Sequence, residues 1–72
     1  MEDYYTLIRT WRGRLEDIGI SPVPIAKASR VSAQYLRALM REDIKKPHSN
    51  HVDSIERTIK AFEAIPGLKK GS

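Results

Sequence analysis

Apolar residues recur along most of the chain at helical spacing. Over residues 3–18 they are Tyr4, Leu7, Ile8, Trp11, Leu15 and Ile18. At about 100° per residue these fall within one arc roughly 100° wide, which predicts an amphipathic helix. Gly13 lands on the opposite side, and Gly19 suits the left-handed position just past the end. Glu2 and Asp3 sit favourably near the positive end of the helix dipole. A second, short helix is expected with Ser21 as N-cap and Pro22 at its first position, or starting nearer Pro24, and ending near Ser29. Its inward residues are Ile25 and Ala26, with Val31 just after it. A third begins at Ser32, an N-cap candidate, and spans residues 32–41. Tyr35, Leu36 and Leu39 gather on one side of it, and Ala33, Gln34, Arg37 and Arg41 on the other. A fourth is expected over residues 51–63, with Val52, Ile55, Ile59 and Phe62 as its inner stripe. Asn50 and Asp53 resemble a capping arrangement for it, and Asp53–Arg57 and Glu56–Lys60 make four-apart pairs outside. No segment alternates with period two, so the expected fold class is all-α: a compact bundle of four or five short helices.

Length narrows this to one unit. The chain has 72 residues, well below the size at which cores divide. A domain over residues 1–66 is expected, with a flexible basic tail at 67–72. A core this small rarely supplies more than about 3–5 kcal/mol unless it is stapled. There is no cysteine, which excludes disulfides, thiolate zinc sites and cysteine nucleophiles. Apolar runs reach two or three residues, far short of the roughly 18 a membrane span requires. The first residues are acidic where a secretory signal is basic and then apolar. A cytoplasmic protein with no membrane partner is the expectation.

Charge changes the picture more than length does. The net charge is +4, and it is unevenly held. Residues 1–22 carry three basic and four acidic side chains, residues 23–48 six and two, and residues 49–72 four and three. The whole surplus lies in the middle third, the footprint of a polyanion partner. Two short helices joined by a tight connection hold that surplus, which suggests a helix-turn-helix. A helix that enters the major groove needs small or polar groups near its N-terminus to reach base edges. Ser32, Ala33 and Gln34 occupy those places, and Arg37 and Arg41 extend the same face.

The segment PVPIAKASRVSAQYLRALMR, residues 22–41, resembles the lambda-type phage repressor/Cro family of helix-turn-helix regulators. That family places an aliphatic residue and then Ala in the bracing helix, as Ile25 and Ala26 stand here. An apolar residue followed by Ser opens its recognition helix, as Val31 and Ser32 do. Two apolar positions three apart anchor that helix, as Leu36 and Leu39 do. Three positions depart from the pattern. Arg30 stands at the turn where Gly is usual, Ser29 before it where an apolar residue is usual, and Glu42 where a Gly often follows the recognition helix. A left-handed Arg30 costs on the order of 1 kcal/mol. The resemblance covers about a quarter of the chain.

The resemblance implies a lambda repressor-like fold and a sequence-specific regulator of a double-stranded DNA operator. Base contacts are then expected from Ser32, Ala33, Gln34, Arg37 and Arg41, with Gln suited to adenine and Arg to guanine. Phosphate contacts are expected from Lys45, Lys46 and His48, helped by Ser49, Asn50 and the free amides opening the fourth helix, and more weakly from Lys27 and Arg30. One recognition helix covers only a few base pairs, so a homodimer on a near-palindromic site is expected. Ile65, Leu68 and exposed parts of the first helix such as Tyr5 are dimer-surface candidates; Ile65 and Leu68 could equally fold over the core. Tyr35 is expected to be partly core, with its hydroxyl in reach of a phosphate as the alternative role. Trp11 and Phe62 are packing residues. His48 and His51 invite a metal, but the first lies in a loop, no Cys is available and a carboxylate such as Asp53 would have to complete the site, so no metal and no cofactor are expected. There is no nucleophile elbow, phosphate loop or paired histidine on one helix, so no enzymatic activity and no small-molecule substrate are expected. The rival reading is a small helical interaction module that binds an acidic protein, antitoxin-like or anti-repressor.

Overall fold

The computed structural model of the chain describes residues 4–65. It contains four helices and, among the described residues, no strand: α1 (Tyr4–Ile18), α2 (Pro22–Ser29), α3 (Ala33–Met40) and α4 (Ser49–Glu63). The two long helices, α1 and α4, pack together; α3 lies against α1 and α2, and α2 also lies against α4. The radius of gyration, 11.8 Å, is near the roughly 11 Å of a well-packed chain of this length. Residues 67–72, expected as a flexible tail, and Leu68 lie outside the described residues, as do Glu2 and Asp3.

The stripes read from the sequence are the core. Ile8, Trp11, Leu15 and Ile18 from α1, Ile25 and Ala26 from α2, Leu36 and Leu39 from α3, and Val52, Ile55 and Ile59 from α4 are all buried. Tyr4, Leu7, Val31, Tyr35 and Phe62 pack around them, half-buried. Gly13 faces open space, so its cost is helix propensity alone.

Three helices end in the same way. Gly19, Arg30 and Glu42 adopt left-handed backbone with φ of 72°, 61° and 61°. Behind each, two amides turn back onto orphan carbonyls. Ile20 N–H reaches Leu15 O at 3.0 Å, Val31 N–H reaches Ala26 O at 3.0 Å, and Asp43 N–H reaches Ala38 O at 2.9 Å. The residue before each makes the inner bond, to Glu16, Lys27 and Leu39. This is the Schellman closure, and only α1 uses the residue that suits it best. Arg30 and Glu42 accept the left-handed strain because the following residue is drawn back over the helix end. Val31 then packs against the core, one residue before α3 begins.

At the other ends the expected caps held unevenly. Ser32 caps α3, its Oγ accepting the Tyr35 N–H at 3.0 Å. Ser21 occupies the N-cap of α2 in extended backbone but makes no side-chain cap bond. Pro24 is the third residue of that helix and has no N–H, so only the Val23 amide remains as a capping donor, and the Ser21 side chain does not accept it. The fourth helix begins at Ser49 rather than at residue 51, with His48 as N-cap, and Asn50 lies inside its first turn. A tertiary contact overrides the local cap: His48 N–H donates to the Tyr35 hydroxyl at 3.3 Å, and the His51 ring meets Tyr35 edge-on at 5.1 Å.

Polar groups in the interior are satisfied among themselves. Ser29, only 5% exposed, stands where an apolar residue was expected by resemblance. Its hydroxyl donates to Thr58 Oγ1 at 2.9 Å, Thr58 donates to the Ser54 carbonyl at 2.9 Å, and Ser54 Oγ donates to the Ser29 carbonyl at 3.2 Å. The three form a closed ring joining the end of α2 to α4, with each hydroxyl donating once. Between α1 and α4, the Arg14 guanidinium bonds to both oxygens of Glu56, at 2.7 and 3.1 Å, and to both of Glu63, at 3.0 and 2.7 Å. Trp11 Nε1 donates to Glu56 Oε1 at 2.9 Å. Glu56 was expected on the outside, paired with Lys60. That contact is present at 3.9 Å, but it is the weakest the carboxylate makes. Asp53 and Arg57 form no ion pair among the described residues. Burial pushes the Glu56 carboxyl up, yet the hydrogen bonds from Arg14 and Trp11, with the charges of Arg14 and Lys60, outweigh it and hold the carboxyl below its ordinary value. The bonds from Glu63 and then Glu56 raise the Arg14 guanidinium further.

Replacing Arg30 with Gly should stabilise the protein by about 0.5–1 kcal/mol, the relief of left-handed strain less the greater freedom of unfolded glycine. Arg30→Val should destabilise it; urea unfolding of the two variants reads both signs. The lowered carboxyl of Glu56 gives a second expectation. Its stabilisation is complete above the ordinary glutamate value of 4.5 and is lost as pH falls through the lower folded value. Glu56→Gln should therefore cost about 1–3 kcal/mol near neutrality and flatten the loss of stability as pH is lowered from neutrality through 4.5 and below. Urea midpoints across that range check it.

Candidate nucleic-acid interface

The surface with a charge excess is built on α3 and the segment that follows. Leu36 and Leu39 are fully buried, so the arc opposite them faces solvent. Gln34, Arg37 and Arg41 occupy it and are exposed. No acidic residue shares the helix. Ala33 is half-buried against the core, so its methyl is only partly available. Ser32 is exposed, but its oxygen is engaged as the cap of α3. Arg41 is just beyond the last helical residue, with Nε 3.2 Å from Asp43 Oδ2. Both side chains are more than half exposed, and a pair of this kind contributes about 0–1 kcal/mol, so Arg41 is easily recruited elsewhere. Neither Gln34 nor Arg37 has a side-chain partner among the described residues.

Residues 42–48 connect α3 to α4 and are pinned from two sides. Arg9 grips Glu42 through two bonds, at 3.2 and 2.7 Å. The Tyr5 hydroxyl donates to the Ile44 carbonyl. Tyr35, from α3, accepts the His48 N–H. Tyr5, expected to be exposed, is half-buried, and its hydroxyl serves the loop. Lys45 and Lys46 stand between these anchors and are exposed, with no ion pair among the described residues. A pinned backbone presenting two ammonium groups loses less entropy on meeting an anion than a free loop would.

The start of α4 completes this end of the surface. Its first internal hydrogen bond is from Val52 N–H to His48 O, at 3.0 Å. The amides of Ser49, Asn50 and His51 therefore precede the helical ladder, and His48 offers them no side-chain acceptor. Ser49, Asn50 and His48 are exposed. The His48 and His51 rings stand 5.3 Å apart, edge to face. Among the described residues no third ligand-type side chain joins them.

Lys27 and Arg30 are exposed as well. Lys27 lies across α2 from the buried Ile25, Ala26 and Ser29, and Arg30 is in the turn. Ile65 is 47% exposed, so it does not fold back over the core. No described helix is long and apolar enough to cross a membrane.

The three anchors of the loop were absent from the sequence reading. Tyr5, Arg9 and Tyr35 reach partners 39, 33 and 13 residues away, and no local spacing reports such a pairing.

No family model matches this chain, and no similar protein is found among curated proteins or solved structures.

Removing the cap of α3 should act locally. Ser32→Ala should cost about 0.5–2 kcal/mol and raise amide exchange at Gln34 and Tyr35 above that in α4, as read by hydrogen exchange.

Proposed function

We propose that this chain is a lambda repressor-like helix-turn-helix regulator that binds a double-stranded DNA operator by laying α3 in the major groove. The observation that carries this reading is the exposed arc of Gln34, Arg37 and Arg41 on a short helix whose opposite side is locked into the core by Leu36 and Leu39. A helix projects side chains about 5 Å from its axis, and the major groove, about 12 Å wide, admits it. Two eight-residue helices in direct contact, joined by a three-residue turn with a left-handed first position, support the same reading.

In this arrangement Gln34 pairs with the N6 and N7 edge of adenine, and Arg37 with the O6 and N7 edge of guanine. Ser32 and the half-exposed Ala33 stand nearest the base edges at the start of the helix. Lys45, Lys46 and His48 take phosphates on the flank, with Ser49, Asn50 and the open amides of α4 adding donors. Lys27 and Arg30 extend the basic surface along the bracing helix. Arg41 leaves Asp43 to join the DNA face. Regulation would act by occupancy, as the bound protein blocks or positions polymerase. A homodimer would place two copies of α3 on half-sites about one helical turn, near 34 Å, apart.

Selection from a random DNA pool followed by anisotropy titration at two salt concentrations tests this directly. Arg37→Ala should weaken the selected site by about 1–3 kcal/mol and relax preference at one base position. Lys45→Ala and Lys46→Ala should each weaken all sequences alike and reduce the salt slope by about one. Absence of any binding at low salt would remove the DNA reading in favour of an acidic protein partner.

A further inference from the structure

Beside the exposed arc of α3 the surface is concave. A groove of about 430 Å3 runs between the last turns of α1, the start of α2 and the end of α3. Its volume lies in the range of about 300–1,000 Å3 typical of small-molecule sites. Leu15, Ile20 and Met40 give it an apolar floor, and Pro22 closes one end. Arg12, Arg37 and Arg41 stand around it, against a single carboxylate, Glu16. Arg12 and Arg37 have no ion pair among the described residues, whereas the other two α1 arginines are both held by glutamates.

This combination is not what a phosphate backbone needs, because phosphates contact charge and hydrogen-bond donors rather than an apolar floor. It matches a ligand with one anionic end and a short hydrocarbon body. We propose that the groove binds an amphipathic monocarboxylic acid, with the carboxylate held by Arg12 and Arg37 and the chain laid on Leu15, Ile20 and Met40. Guanidinium is the suitable cation, since its paired N–H groups match the two oxygens of a carboxylate. Arg37 belongs both to this groove and to the exposed arc of α3. Resting on the DNA reading above, the carboxylate therefore competes with the operator for Arg37 and lowers operator affinity.

Octanoate is a suitable probe, titrated into the labelled full chain and followed by amide chemical shifts. Saturable shifts are expected at Glu16, Ser21, Arg37 and Met40, with a dissociation constant in the low-millimolar range that a ligand of this size gives. Octanol should bind about tenfold more weakly and octylammonium not measurably, since the paired charge is lost or reversed. Arg12→Ala should weaken octanoate about fivefold to tenfold, whereas Glu16→Gln, which removes the opposing carboxylate, should tighten it. Both side chains are exposed, so neither change threatens the fold. No saturable shift at these residues, equal binding of octanol, or indifference to both substitutions would overturn the proposal. Competition is read separately by adding octanoate to an anisotropy titration with the selected operator. Octanoate binding with no DNA binding at all would retire the DNA reading and leave the groove; binding of both without competition would refute the shared use of Arg37.

Discussion

Leu36 and Leu39 hold α3 to the rest of the molecule, and everything that helix displays depends on them. A helix of eight residues makes little more than two turns and has no independent stability in water. Its persistence comes from two fully buried leucines that meet α1 and α2. Once they are seated, helical geometry leaves Gln34, Arg37 and Arg41 no direction but outward. The half-buried neighbours Tyr35 and Met40 mark the edges of the contact. Tyr35 extends it toward α4 and the basic loop, Met40 toward the groove beside α1. One small buried surface thus orients a polar arc and its two flanks.

A core of this size has little margin, and its polar groups are arranged so as not to reduce it. Glu56 would be costly at its depth if left alone. Arg14 and Trp11 satisfy it, and Glu63 occupies the rest of the guanidinium. Ser29 would be costly at its depth if left alone, yet its hydroxyl and carbonyl close a ring with Ser54 and Thr58. No buried side-chain nitrogen or oxygen among the described residues lacks a partner. Such networks set the registration of α1 and α2 on α4 more sharply than interchangeable aliphatic contacts do.

The turns illustrate how a local penalty persists in a stable fold. Arg30 and Glu42 sit in left-handed backbone that glycine would take without strain. Each is held there by two returning hydrogen bonds, and after Arg30 also by the apolar seat of Val31. Arginine in the turn adds a positive charge next to the exposed arc of α3, and Glu42 gives Arg9 a partner that fastens the following loop. In both places the side chain contributes something glycine could not.

The sequence alone determined the helices and their inward faces, because burial on a helix follows a period of about 3.6 residues that any stretch of chain reports by itself. The buried stripes of α1, α3 and α4, the caps at Ser32 and Gly19, and the surplus of charge in the middle third were all legible for that reason. The N-terminus of α4 was misplaced by two residues, since a local capping preference worth about 1 kcal/mol gave way to the Tyr35 contacts. The partners of Tyr5, Arg9, Arg14, Ser29 and Glu56 across the helices were not legible, because each such pairing joins residues 25 or more positions apart and depends on how one helix lies across another. The groove was invisible for the same cause: its walls come from three helices, and only their crossing brings Arg12 within one concavity with Arg37. Periodicity is a property of a segment, whereas pairing and concavity are properties of the packing.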